Sequence, residues 1–208
     1  SQPRMAAVRK LWLDANARRP ASRAPVYCRP GGCWNELLPR ESLACGDQFL
    51  RGMEYALRQI LIKLDIGDDD PIPACWSVSA CFRSEPENIW GVEIGRHRAA
   101  QSDGSWGYDP PLKTEKDFDQ LAAPRFFYDK EASNAAMARA QEVLDGIMPV
   151  RLVAGEPLSS TLGTAAADLR GLSEMMMDMI DAPELMHRLM AFLRDSCLSG
   201  IQAVEDSG

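Results

Sequence analysis

The chain has 208 residues, of which 46% are hydrophobic and 25% charged, a composition typical of a folded domain and not of a disordered chain. Its net charge of −7 argues against a general affinity for nucleic acid, although a few arginines in one pocket would still attract a small anion. No apolar run approaches the ~18 residues that span a bilayer, and the start lacks a signal-peptide core, so we expect a cytoplasmic protein with no membrane partner.

The first part of the chain is predicted to alternate helices and short strands. Residues 4–17 form a helix that ends before Pro20, and Val26-Tyr27-Cys28 is an apolar run that predicts a buried strand. Apolar residues recur at spacings of three and four over 47–64, which predicts an amphipathic helix. The small and apolar segment 73–82 predicts another buried strand.

The second part continues the alternation after an irregular excursion over 85–111, where a strand at 89–94 and a hairpin are expected. Helices interspersed with strands predict an α/β fold, with a parallel sheet covered by helices. The remaining predicted elements are a short helix within 115–124, a helix at 133–144, a strand at 147–155, a helix at 172–180 and a long helix from Ala182.

Several residue types that can carry chemistry receive structural interpretations. The six cysteines form no Cys-x-x-Cys pair, so we expect reduced, mostly buried thiols and no metal site on this chain. The acid run Asp68-Asp69-Asp70 could hold a hard cation but is more typical of an exposed loop cap. The methionines at 175, 176, 177 and 179 are predicted to fill the core.

Two segments carry a resemblance to a known family. Val150–Leu162, with its Gly-Glu-Pro loop, resembles the strand and Gly-x-Pro loop of uroporphyrinogen decarboxylases. Met175–Leu193 is similar to the helix, acidic-Pro-Glu-Leu turn and long helix of the same superfamily. Tyr128–Ala132 resembles the branch that accompanies corrinoid-dependent methyltransferases, and the diffuse likeness runs from Arg4 to Gly208. The resemblance implies a partial (β/α)₈ TIM barrel: N-terminal helices and about three strand–helix units of one truncated domain spanning 1–208.

The same resemblance implies where a substrate would bind. Arg29 matches the first of two arginines that meet substrate carboxylates in the decarboxylases, while Cys33 stands where the second would be. That departure and the lack of an acid at 75–82 weaken the case for tetrapyrrole decarboxylation, which remains a third hypothesis. The Gly31-Gly32 turn and the end of the third predicted strand bring further polar residues to such a mouth. The full set of candidate substrate contacts is Arg29, Trp34, Asn35, Glu36, Ser159, Ser160 and Thr161, the last three being alternatively a helix cap.

The resemblance implies an enzyme that moves a methyl group between a small methylated substrate and a corrinoid held on a partner protein. It further implies zinc in the full-length protein, with ligands in the C-terminal half and none on this chain. Glu93 and His97 could form an acid–base pair, although a lone histidine beside two arginines is more often a surface residue. The alternative hypothesis is a non-catalytic fragment or split-gene module. In either case we expect self-association, or completion of the barrel by the missing half.

Overall fold

The computed structural model describes residues 2–98 and 106–207 of the chain. The chain divides into two compact units, residues 1–74 and residues 75–208, and each is described by itself. Among the described residues no helix is both long enough and apolar enough to cross a membrane.

The first unit is built from helices. Asp47 caps the longest of them by accepting a hydrogen bond from the Leu50 N–H at 3.0 Å, and Gly67 ends it with a left-handed φ of 76°. Both helices predicted in this unit are confirmed. Its elements are α1 (Gln2–Asn16), α2 (Trp34–Leu37) and α3 (Gln48–Ile66), with 3₁₀ turns at Gly31–Cys33 and Arg40–Ser42.

The predicted strand at 26–28 is wrong. This segment pairs with no strand among the described residues, and the side chains of Val26 and Tyr27 are exposed. Carboxylates take the place of a neighbouring strand: Asp69 accepts from the Val26 N–H at 2.8 Å and Asp68 from the Cys28 N–H at 2.7 Å. The acid run is therefore not the exposed loop cap that was predicted, because Asp68 and Asp69 are both buried.

The second unit contains strands and helices in mixed order. Its strands form three two-stranded sheets, β1–β6 parallel and both β2–β5 and β3–β4 antiparallel. The predicted excursion is confirmed as the β3–β4 hairpin. The elements are β1 (Trp76–Ser79), β2 (Phe82–Glu85), β3 (Gly95–Arg98), β4 (Trp106–Asp109), a 3₁₀ helix (Glu115–Gln120), β5 (Arg125–Tyr128), α4 (Lys130–Leu144), β6 (Val150–Val153), α5 (Leu162–Arg170), α6 (Leu172–Asp181) and α7 (Pro183–Asp206).

The parallel pair is the α/β part of the fold. Trp76 lies opposite Val150 and Ser79 opposite Val153, and α4 packs on both strands as the crossover between them. The described residues thus form a mixed α/β structure in which no sheet closes into a barrel.

Two strand predictions in this unit need correction. The segment 73–82 does not form one strand, because after Ala80 the chain leaves β6 and the Cys81 N–H donates to Ser133 Oγ at 2.9 Å. β2 then pairs with β5 instead. The strand predicted at 89–94 does not form, because Ile89 has a left-handed φ of 66° that a strand does not allow. The buried Trp90 side chain packs in the core instead.

The core of the second unit lies beneath α5, α6 and α7. The Trp90 and Phe192 rings pack with their centroids 5.9 Å apart. Arg170 joins the helices to the preceding loop: its Nε donates to Asp178 Oδ2 at 2.7 Å, and its Nη1 donates to the carbonyl oxygens of Leu112 and Lys113. The buried core residues are Trp90, Leu112, Phe118, Ala166, Leu169, Met175, Met186, Leu189 and Leu193.

Two compositional predictions do not hold in the structure. All six cysteines are free, but only Cys197 is buried, and Cys28 and Cys33 are exposed. Of the four methionines predicted to fill the core, Met175 alone does so, and the other three are exposed on α6.

Candidate functional site

A cavity of about 460 Å³ lies in the first unit, between the 27–34 loop and α3. Its volume falls in the range of pockets that take small molecules. One wall comes from the loop and carries Arg29 and Trp34, and the opposite wall comes from α3 with Gln59 and Lys63. The remaining lining residues are Tyr27, Cys28, Pro30, Gly31, Ala56, Ile60, Asp70 and Ile72.

The loop wall is held in place by the acid run that follows α3. The guanidinium of Arg23 binds both oxygens of Asp69, at 2.5 and 2.6 Å, and the same carboxylate accepts from the Val26 N–H. The backbone N–H of Asp69 also donates a hydrogen bond to the Val26 carbonyl oxygen at 2.8 Å. Because these bonds fix residues 23–28, the loop that begins at Arg29 starts from a defined position.

Lys63 forms the centre of the electrostatic arrangement. Its buried ammonium donates to Asp68 and to the Cys28 carbonyl, and it lies 3.6 Å from Asp70. Burial opposes the charge of Lys63, but the hydrogen bond and the negative charge of Asp68 outweigh it and raise its pKa. The pKa of Asp68 is lowered in turn, again against the effect of burial. The positive charge of Lys63 is therefore neutralised within the protein.

Arg29 is in the opposite situation. Its guanidinium carbon lies 5.7 Å from the centre of the Tyr27 ring, a cation–π contact. Among the described residues no carboxylate pairs with it. The fork of an arginine suits a carboxylate or phosphate through paired hydrogen bonds, so Arg29 offers the cavity donors for an anion that no carboxylate of the described residues occupies.

The structure separates the candidates of the first unit. Arg29 and Trp34 line the cavity, whereas Asn35 and Glu36 lie exposed on α2 and do not line it. Sequence reasoning missed Tyr27 and Lys63. The available indication for Lys63 was the run of three acids five residues later, within reach of a lysine at the end of a helix.

The hydroxyl candidates lie in the second unit, in the loop after β6. Ser159, Ser160 and Thr161 are all exposed, and the hydroxyls of Ser159 and Thr161 lie 2.8 Å apart. Thr161 occupies the position before α5, but its hydroxyl makes no capping hydrogen bond. The cap interpretation therefore fails for the Thr161 side chain, and the three hydroxyls remain accessible at the carboxyl end of a parallel strand.

Glu93 and His97 do not form a pair among the described residues. Both are exposed, and His97 lies on β3 opposite Gly107. Within residues 2–98 and 106–207 no group of three His, Cys, Asp or Glu side chains is placed to hold a metal ion. The described residues therefore do not fit a zinc site, and no chemical step is assigned to zinc on them.

Comparison of the chain with models of protein families, with curated proteins and with solved structures finds no match.

Proposed function

We propose that the chain binds a small methylated carboxylic acid at Arg29, as part of a uroporphyrinogen decarboxylase-like (β/α)₈ barrel enzyme of the methyltransferase branch. The enzyme transfers a methyl group between that compound and the corrinoid of a partner protein. The chain contributes the substrate-binding part of this reaction, and its described residues place no group of three His, Cys, Asp or Glu side chains to hold a metal ion.

The observation that supports this proposal is the guanidinium of Arg29, which pairs with no carboxylate among the described residues. It sits in a cavity of about 460 Å³ beside Lys63, whose charge is already neutralised by Asp68. An incoming carboxylate would therefore meet the unpaired guanidinium of Arg29, while Asp70, which also lines the cavity, lies 3.6 Å from the Lys63 ammonium. Tyr27 and Trp34 offer aromatic surface for the methylated body of the ligand.

The barrel part of the proposal is supported by the β1–β6 pair. Parallel strands joined through a helix, here α4, are the repeating unit of such barrels. Both strands alternate half-buried and exposed residues, so one face of this pair is uncovered among the described residues.

The test is ligand binding measured by calorimetry on the purified protein. Methoxyacetate and dimethylglycine are the acidic probes, and methanol and dimethylamine are the matched probes that lack a carboxylate. We expect the acids to bind more tightly and Arg29→Ala to weaken them by about tenfold or more, as expected for loss of a charge-assisted hydrogen bond. Arg29→Lys retains the charge but loses the fork, and should fall between the two.

Arg18→Ala is the control, because Arg18 is an exposed arginine of the same unit that does not line the cavity. Equal binding of acids and neutral probes, or equal affinity of Arg29→Ala and the parent protein, would contradict the anion site. Methylation of a reduced corrinoid, followed by its absorbance, then tests the transfer separately.

A second candidate function is a non-catalytic module completed by partner strands. The observation that favours it is the two-stranded parallel β1–β6 sheet, whose outer edges have no strand partner among the described residues. The binding measurement distinguishes this alternative, because a non-catalytic module should bind none of the acidic probes, either as the parent chain or as Arg29→Ala.

A further inference from the structure

The cavity of the first unit carries charge of both signs. Arg29 brings a positive charge to the loop wall, and no carboxylate of the described residues pairs with it. Asp70 lines the same cavity with a side chain that is 26% exposed. The Asp70 carboxylate contacts Lys63 and forms no ion pair with the Arg29 guanidinium. The cavity therefore presents a cation and an anion that do not neutralise each other.

The charge of Asp70 is only partly balanced by the protein. The Lys63 ammonium lies 3.6 Å from Asp70, but its hydrogen bonds go to Asp68 and to the Cys28 carbonyl. One positive charge thus faces two carboxylates, which leaves an excess of one negative charge in this group. Asp70 is the carboxylate that presents this excess to the cavity, because the Asp68 side chain is 3% exposed and does not line it.

The aromatic residues of the lining offer the surface that a cation prefers. The Tyr27 ring lies near both basic residues, with its centre 5.7 Å from the Arg29 guanidinium carbon and 4.6 Å from Lys63 Nζ. Trp34 is half-buried in the lining, and no cation of residues 2–98 and 106–207 lies over its ring. A tryptophan face attracts cations most strongly, and aromatic surfaces of this kind recognise quaternary ammonium groups.

We propose that the ligand of this cavity is a zwitterion, an amino acid whose nitrogen is methylated and positively charged. Its carboxylate binds the fork of Arg29, its methylated ammonium lies on the Trp34 face, and Asp70 attracts the positive charge. Because it names the class of methylated acid that Arg29 binds, this assignment rests on the proposed function. A methylated acid without the positive charge would be repelled by Asp70, and a methylated amine without the carboxylate would leave Arg29 unpaired.

The experiment compares three probes by calorimetry on the purified protein. Glycine betaine carries both charges, and 3,3-dimethylbutanoate has the same shape and carboxylate with carbon in place of the charged nitrogen. Choline has the cation and no carboxylate. We expect glycine betaine to bind at least about tenfold more tightly than either of the others, because it alone makes both the cation–π contact and the charge-assisted hydrogen bonds.

Two variants test the residues that receive the positive charge. Asp70→Asn should lower the ratio of glycine betaine affinity to 3,3-dimethylbutanoate affinity by about fivefold or more, because the cation loses an attraction and the simple acid loses a repulsion. Trp34→Leu should lower the same ratio, since leucine keeps apolar surface but offers no ring to a cation. Asp65→Asn is the control, because Asp65 is an exposed carboxylate of the same unit that does not line the cavity.

The possible results separate the zwitterion from the anion site itself. Binding of 3,3-dimethylbutanoate through Arg29 as tightly as glycine betaine would overturn the zwitterion and leave the anion site standing. Choline binding as tight as that of glycine betaine would also overturn it, in favour of a site for cations alone. If neither acid binds, the proposed function and the zwitterion both fail. The comparison of probes on the parent protein decides the matter even if Asp70→Asn folds poorly by circular dichroism.

Discussion

The buried ion pair between Arg170 and Asp178 should contribute strongly to the stability of the second unit, and Asp178→Ala tests this. The carboxylate accepts two hydrogen bonds from Arg170, at 2.7 and 3.2 Å, and both residues are less than 10% exposed. Charge-assisted hydrogen bonds contribute ~1.5–3 kcal/mol each, and loss of one partner of a buried pair costs ~3–5 kcal/mol.

Two features place the expected cost at the lower end of that range. Arg170 keeps its hydrogen bonds to the Leu112 and Lys113 carbonyls, and Glu174 lies 3.8 Å from its Nη2 as a partial substitute. We therefore expect Asp178→Ala to lower the free energy of unfolding by about 3 kcal/mol. The assay is urea unfolding followed by circular dichroism, with the midpoint and slope fitted together.

Asp195→Ala is the control, because Asp195 pairs with its exposed neighbour Arg194 and its loss should leave the unfolding midpoint unchanged. In a double-mutant cycle, Arg170→Met and Asp178→Leu should together cost less than the sum of the single changes. A cost of Asp178→Ala below about 1 kcal/mol, or simple additivity in the cycle, would refute the assignment of a strong buried pair.

The remaining predictions concern acid sensitivity and a buried hydroxyl. The hydrogen bond from Arg23 holds the pKa of Asp69 at about 2, below its ordinary 3.8, so its stabilising effect is present above pH 3.8 and is lost as the pH falls toward 2. Asp69→Asn should be less stable than the parent at neutral pH and lose less stability over that interval, as measured by urea unfolding at each pH; parallel curves would contradict this. Ser133→Ala removes the acceptor for the Cys81 N–H and the donor to the Asp129 carbonyl. We expect it to lower the free energy of unfolding, measured in urea, by about 1–2 kcal/mol. Asn134→Ala, on the exposed side of α4, is the control and should leave that free energy unchanged.

Elements with a strong local pattern were predictable from the sequence. α3 has apolar residues at every third or fourth position between an Asp cap and a Gly stop, and α7 begins at Pro183 with a continuous apolar stripe. Their limits differ from the predicted ones by only a few residues. In these helices the hydrogen bonds are local, so the sequence of the helix itself determines its structure.

Features that depend on distant partners were not predictable in this way. The apolar run at 26–28 has the composition of a strand, but its amides bond to carboxylates 40 and 43 residues away. Lys63 lies outside the apolar positions that predict the helix, yet it can be buried because Asp68 and the Cys28 carbonyl accept hydrogen bonds from its ammonium. Residue type likewise says that a methionine is apolar and does not say whether its side of the helix is covered, so the prediction of core positions for Met176, Met177 and Met179 was wrong.

The carboxylate links between the acid run and residues 26–28 have a mechanical consequence for the cavity. Asp68 lies two residues after α3 and accepts from the Cys28 N–H, and Lys63 of α3 donates to the Cys28 carbonyl, so both polar groups of the Cys28 backbone are tied to the helix wall. Widening of the cavity at this point therefore requires the loss of both hydrogen bonds.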